Sequence, residues 1–448
     1  MLEKKINPLK YTNTPIEGIL QATKWQFYWL CGLILCFAYE RPLLTITPFD
    51  RTNPRIFDVM FFIGLILVLP KLRKPNFLPK SFTVWKNLVY WFCFCALVWS
   101  IFFLPWSYGY FSLYAAARYL MGLLVIYMAL LVPLNTERKR IIHGLLVICG
   151  IFVFIYTFLE YRGSIGGSSS VVLNQNLEVF VGEGVLVGPY GASYFQLAQS
   201  SALFFCFALT FFLNSKKNSM QYIMPLIVCI IGWPLVYSGA RTGLGLALVS
   251  LIVLLIYNNR LRKHFLVFIV SATILIITTG QIDRVEESFA SGTSFKRLED
   301  NDGEDNSLAG RVSQTFDLSI WSTYTAGALL PLIGGGFYVA PIGINNEAEY
   351  RVDYGIHSVL LFPFEQAGVI GIFLFFQFIY YSVRDLLKRI KEKNIIDRNF
   401  ALAFFSYLIS SLIAGVGGHN FWQGFSSGNF NTCFIICLVL ALSKSIDQ

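Results

Sequence analysis

The chain has 448 residues, of which 55% are hydrophobic and only 14% charged, and its mean hydropathy is +0.59. A soluble globular domain carries about 25% charged residues, so this composition excludes an ordinary soluble enzyme of two or three domains. The formal charge of +9 sits in short connections between apolar runs, which points to the positive-inside rule and away from nucleic acid. Aromatics make up 17% of the chain, with 42 Phe, 23 Tyr and 9 Trp, as suits a lipid-facing surface with interfacial belts.

In chain order, the first 24 residues are polar and mixed in charge, and they read as a cytoplasmic tail followed by a retained helix. Apolar runs then occur near 25–39, 56–70, 87–104, 109–133, 141–159, 191–213, 221–238, 242–257, 264–280, 357–383, 399–416 and 429–443. A span needs about 20 residues, so the expected fold is an all-α integral membrane protein of about 12 transmembrane helices, nine within 25–280 and three within 357–448. Lys and Arg fill alternate connections. One set holds Lys4, Lys5 and Lys24; Lys71, Arg73, Lys74, Lys80 and Lys86; Arg138, Lys139 and Arg140; Lys216 and Lys217; Arg260, Arg262 and Lys263; and Arg384 through Arg398. The positive-inside rule then places both termini in the cytoplasm, with a short cytoplasmic tail after the last span.

Two connections on the opposite side are long. The first, about 160–190, is rich in Gly, Ser and Val. The second, about 281–356, is the expected large periplasmic loop. It opens with the acidic stretch Arg297 to Asp305. A stripe of Leu308, Val312, Phe316, Ile320 and Tyr324 then predicts a short amphipathic helix, and the triple glycine Gly334–Gly336 ends it. A connection of this length is functional or disordered more often than not.

All nine cysteines fall inside apolar runs, so the sequence predicts neither disulfides nor a thiolate metal site. It contains no Walker A loop, no Rossmann glycine fingerprint and no HExxH or CxxC motif. No metal and no cofactor is expected.

The topology sorts the four histidines. His143 and His264 fall on the cytoplasmic side, His357 and His419 on the other. His357 opens the tenth span. The positive end of a helix disfavours imidazolium, and a neutral imidazole can accept a proton as a general base; a capping or hydrogen-bonding interfacial His is the plainer alternative. Arg241, in Ser238-Gly-Ala-Arg-Thr-Gly243, and Arg311, in Gly310-Arg311, both lie near expected helix starts, where a guanidinium and free backbone N–H groups can hold an anion together. Arg118 lies inside the fourth span. There it either faces a polar cavity or snorkels to the interface. Arg41 ends the first span. His419 either contacts a ligand or caps a helix. Trp106, Tyr108, Tyr110 and Trp422 read as interfacial belt residues that would also suit stacking on a sugar.

Residues from about 237 to 377 resemble the core of the bacterial O-antigen ligase and O-antigen polymerase superfamily. The resemblance rests on Ser238-Gly-Ala-Arg241-Thr-Gly; on Gly310-Arg311 followed by Trp321 and Pro331-Leu-Ile-Gly-Gly-Gly336; and on His357-Ser-Val-Leu-Leu followed by Glu365-Gln-Ala-Gly-Val-Ile-Gly371. It covers about a third of the chain. It implies an inverting glycosyltransferase at the periplasmic face of the bacterial inner membrane. The donor would be an undecaprenyl-diphosphate-linked glycan, and the acceptor either lipid A–core or a second lipid-linked glycan. Arg241 and Arg311, with Arg118, would hold the diphosphate, His357 would serve the acceptor hydroxyl, and His419 and Arg41 would be possible glycan or acceptor contacts. Family members often carry Asn after this histidine, where this chain has Ser358. A secondary transporter or flippase of lipid-linked glycan is the alternative, although no inverted repeat or matching pair of broken helices supports it.

Overall fold

Within a bilayer each backbone N–H and C=O needs a partner from the protein, so a long apolar run folds as a helix. The structure, a computed structural model, describes residues 19–21, 23–43, 54–68, 77–102, 106–165, 186–190, 194–214, 218–237, 241–259, 261–263, 269–271, 273–274, 340–341, 350–351, 362–415 and 429–446. Among these are the helices α1 (Lys24–Cys36), α2 (Ile56–Leu67), α3 (Lys80–Phe102), α4 (Trp106–Leu130), α5 (Thr136–Tyr161), α6 (Tyr194–Asn214), α7 (Asn218–Tyr237), α8 (Arg241–Tyr257), α9 (Phe362–Ile390), α10 (Ile395–Ala414) and α11 (Asn429–Leu442). Each coincides with one apolar run of the sequence. The run at 264–280 falls largely outside the described residues. Of the stretch 281–356, the described residues form a two-residue antiparallel ladder, Ala340 opposite Arg351 and Pro341 opposite Tyr350, a small β element that the sequence did not signal.

The chain is an α-helical membrane protein: five helices among the described residues are long and apolar enough to cross a bilayer, within α3, α5, α6, α9 and α10. Their outward faces carry large apolar side chains in quantity. Phe62 is 61% exposed, Ile66 73% and Phe373 62%, a density of exposed apolar surface that water does not tolerate but lipid does. At the centre stand α6, buried from Gln196 to Thr210, and α10, buried along most of its length. Both are largely apolar around their circumference, as suits a helix enclosed by other helices, with most of the polar exceptions buried. Helices α5, α7 and α8 pack around α6, and α8 and α9 pack against α10; α3, α4 and α9 adjoin on the far side.

Helix α7 carries Pro225 and Pro234 within its run. Helix α9 is broken at Gly368, whose φ of 64° and ψ of −161° belong to a region open essentially to glycine alone. The Ala367 carbonyl at the break accepts the indole N–H of Trp91 from α3 at 2.8 Å.

The contacts between helices sort the molecule into two ends. At one end the Arg138 guanidinium donates to Thr23 Oγ1 at 3.0 Å and to the Leu20 carbonyl, Asn394 Nδ2 donates to Thr136 Oγ1 at 3.0 Å, and the Ile446 N–H donates to the Leu134 carbonyl at 3.0 Å. Residues near both chain termini therefore share this end with the start of α5 and the start of α10. Lys139 also lies here, only 1% exposed, and donates to Asp397 Oδ1 at 2.6 Å and to the Ser443 carbonyl at 2.5 Å. The sequence placed Lys139 among the charges of a connection; the structure makes it one half of a sealed ion pair.

Candidate functional site

The opposite end gathers the charges that are hard to explain in a membrane. The chain leaves α1 at Glu40 and Arg41, enters α2 through Arg55 and Asp58, passes Arg118 in α4, and ends α5 at Glu160. A charged side chain at bilayer depth costs a few kcal/mol or more unless it is paired or hydrated. Here the pairing is close.

Asp58, in the first turn of α2, accepts the N–H of Arg55 at 2.8 Å. The same carboxylate receives Arg118 through both terminal nitrogens, one contact short and the other 3.1 Å, while Arg118 Nε donates to the Tyr114 hydroxyl at 2.9 Å. Fork-on-carboxylate pairing of this kind is among the strongest arrangements available to a guanidinium. Glu40, 2% exposed, accepts from Arg55 Nη1 at 3.4 Å and from the side-chain amide of Gln196 at the start of α6.

Arg41 and Glu160 hold a turn between them. The turn is Gly188-Pro-Tyr190, a buried 3₁₀ element. Arg41 donates to the Gly188 carbonyl from Nε at 3.3 Å and Nη2 at 3.0 Å, and Glu160 Oε2 accepts the Gly188 N–H at 2.7 Å. Arg41 Nη2 and Glu160 Oε1 lie 3.8 Å apart. The N–H of Glu40 donates to the Pro189 carbonyl at 3.1 Å, and the Tyr190 hydroxyl donates to the Phe37 carbonyl at 3.3 Å. Gly188 has φ +60°, and a Cβ there would sit 2.7 Å from Thr157 Oγ1, so any other residue would be strained and crowded. Non-helical backbone at this depth is stable only when enclosed by protein, and the two charged side chains supply the enclosure. Arg41 also lies over the Tyr156 ring, 5.1 Å from its centroid.

The formal charges of this network cancel: Arg41, Arg55 and Arg118 against Glu40, Asp58 and Glu160. Two of the arginines that sequence reasoning singled out, Arg41 and Arg118, therefore meet in one set of linked contacts, and each already faces a carboxylate. The fork on Asp58 is a pairing for Arg118 that sequence reasoning did not name.

Arg241 is described by its backbone, as the first residue of α8. Two residues on, Gly243 is seated against α6: a Cβ there would lie 2.9 Å from the Ala198 Cβ and 3.4 Å from the Leu235 carbonyl. The start of α8 thus rests on the first turn of α6, at the same end of the molecule as the ion network. His357, Arg311 and His419 lie outside the described residues. His143 is fully buried; its Nε2 is 2.7 Å from the Phe207 carbonyl and so carries the proton, and rings of Phe207, Phe211 and Phe400 surround it. No family model matches the sequence, and no curated protein matches it. No group of three or more metal-ligating side chains occurs among the described residues.

Sequence reasoning passed over Glu40, Arg55, Asp58, Glu160 and Gln196. A signal was present for Asp58, an acid three residues inside an apolar run, and for Glu160, at the end of another. Each acid there needs a basic partner, and Arg118 is the intramembrane base that answers Asp58.

Proposed function

We propose that this chain is a glycosyltransferase that acts at the periplasmic face of the bacterial inner membrane on an undecaprenyl-diphosphate-linked glycan. The observation that carries the reading is the start of α8 at Arg241, seated at the end of the bundle opposite both chain termini. A helix start with a guanidinium beside it suits an anion such as a diphosphate. The ordered motifs around Arg241, Arg311 and His357 supply the chemistry.

In this reading the chain crosses the bilayer about 12 times, with both termini cytoplasmic and the 281–356 loop in the periplasm. The acceptor hydroxyl attacks the anomeric carbon of the donor glycan. His357 takes the hydroxyl proton, the bond from the anomeric carbon to the diphosphate oxygen breaks, and the configuration inverts. The lipid diphosphate leaves with its added negative charge held by Arg241 and Arg311. Neither a metal nor a nucleotide is required, because the diphosphate is already the activated leaving group. Arg118, expected with Arg241 and Arg311 at the diphosphate, already faces Asp58, and Arg41 faces Glu160, so neither brings net charge; Arg41 and His419 are read as contacts for the glycan or acceptor. The acceptor is either lipid A–core, which makes the chain a ligase, or a second lipid-linked repeat, which makes it a polymerase.

The test uses purified protein in nanodiscs with a lipid-linked repeat unit alone. A product ladder that disappears in His357→Ala establishes a polymerase, and product formed only when lipid A–core is added establishes a ligase. Arg241→Ala and Arg311→Ala are each expected to lower the rate about 10²–10³-fold, the usual effect of removing one preorganised donor. Arg→Lys at either position is expected to be poor as well, because an ammonium lacks the planar fork. Movement of lipid-linked glycan across the bilayer that survives His357→Ala, with no transfer product, would replace this reading with a flippase.

A further inference from the structure

Helix α6 is gripped at its first turn from two directions. On one side the amide of Gln196 donates to Glu40, which is anchored by Arg55 Nη1 and by the hydrogen bond from its own N–H to Pro189. Ala198 is two residues further on. Residues two apart on a helix do not share a face, so Ala198 turns away from Glu40, and against it sits Gly243 of α8 with no space for a methyl group. Gln196 is buried and Ala198 almost wholly so, at 7% and 1% exposure. The ion network and the helix start at Arg241 are therefore joined by a single turn of α6.

We infer that Gln196 and the Gly243–Ala198 seat are positioning elements for Arg241: the buried Glu40–Arg55 pair fixes the first turn of α6 through Gln196, and that turn fixes the start of α8. This rests on the reading of Arg241 as a diphosphate-binding residue. The physical requirement is general. A binding group held on a helix start is only as well placed as the contacts under it, and a misplacement of about 1 Å costs on the order of 10²-fold in a preorganised site. The network is suited to the task because it is electrically closed, so it holds position without competing for the anion.

Two substitutions that leave the charge unchanged isolate the effect. Gln196→Leu removes the amide donor but keeps the Glu40–Arg55 pair. Gly243→Ala drives a methyl into Ala198. The probe is undecaprenyl diphosphate, and its Kd is measured for nanodisc-embedded protein that is monodisperse and retains its thermal transition. Each single variant is expected to bind roughly 10- to 100-fold more weakly than wild type. Gly243→Ala combined with Ala198→Gly, which moves the methyl across the contact, is expected to recover most of the loss. If Gln196→Leu does not fold, the Gly243 and Ala198 variants decide alone. Wild-type affinity in Gly243→Ala, while Arg241→Ala loses binding, overturns the inference and leaves the diphosphate reading standing. Equal binding by wild type and Arg241→Ala overturns that reading and the inference with it.

Discussion

Lys139 and Asp397 show how a charge is kept inside this protein at the end that carries the chain termini. The ammonium touches the Asp397 carboxylate and the Ser443 carbonyl, and the same carboxylate accepts from the Ser445 hydroxyl at 2.9 Å and the Ser445 N–H at 3.2 Å. Three segments that are distant in sequence are thereby tied at one point. A buried pair contributes little net stability over a well-packed apolar pair, but breaking it strands a charge, which costs about 3–5 kcal/mol. Asp397→Ala is thus expected to lower the thermal transition of the detergent-solubilised protein sharply, and Lys139→Met less so, because its remaining charge keeps the Ser445 bonds. Lys139→Met with Asp397→Leu should lie closer to wild type than Asp397→Ala does. A double variant as unstable as Asp397→Ala would show that the stranded charge is not the cause. At this scale the sequence is half legible. Lys139 stands in a basic connection and Asp397 at a helix start, where an acid favours the dipole, and nothing in either local pattern says that the two, 258 positions apart, meet. Arg118 and Asp58 repeat the lesson 60 positions apart.

At the scale of elements, periodicity and length locate the helices well because lipid leaves an apolar run no other fold. Their ends follow from caps that the sequence displays: the Asn135 side chain accepts the Arg138 N–H at 2.8 Å, and the Asn394 side chain accepts the Ile396 N–H at 3.0 Å. The break in α9 is different. A glycine in a helical run signals only reduced propensity, and Gly371, three residues later, stays helical, held close to Ala367 and the Pro363 carbonyl. The break falls at Gly368, and Trp91 of α3 supplies a donor to the Ala367 carbonyl there. Gly368→Ala should cost about 1–3 kcal/mol from backbone strain, and Trp91→Phe about 1–3 kcal/mol from the carbonyl left without its donor. Both act on one carbonyl, so their effects should fail to add in a double-mutant cycle. Additive losses in the thermal transition would mean that the break persists without the indole.

At the scale of the whole molecule, both ends pair charges, as Lys139–Asp397 shows at one and Arg118–Asp58 at the other, but they differ in how many basic side chains they expose. The end shared with the termini carries Lys80, Arg262, Lys263, Arg384, Lys388, Arg389 and Lys391, several of them exposed, with Asp385 and Glu392 pairing only some of them. The other end, among the described residues, carries arginines locked onto carboxylates. The first pattern is the one that holds a loop in the cytoplasm. The second is a built interior, and it lies at the same end of the molecule as the start of α8. The proposed orientation rests on the alternation of basic connections; the ion network was not legible in the sequence, because it is assembled from four helix ends, the middle of α4 and one buried turn. The orientation makes a definite prediction. A fluorescent protein fused after Gln448 should fluoresce in the cytoplasm, and alkaline phosphatase inserted after Gly303 should be active while the same enzyme inserted after Lys263 is silent. An active fusion after Lys263 would turn the molecule over, place Arg241 and the ion network against the cytoplasm, and remove the periplasmic donor from consideration. An active fusion after Gly303 alone places the charged interior on the periplasmic side, as the proposed reaction requires.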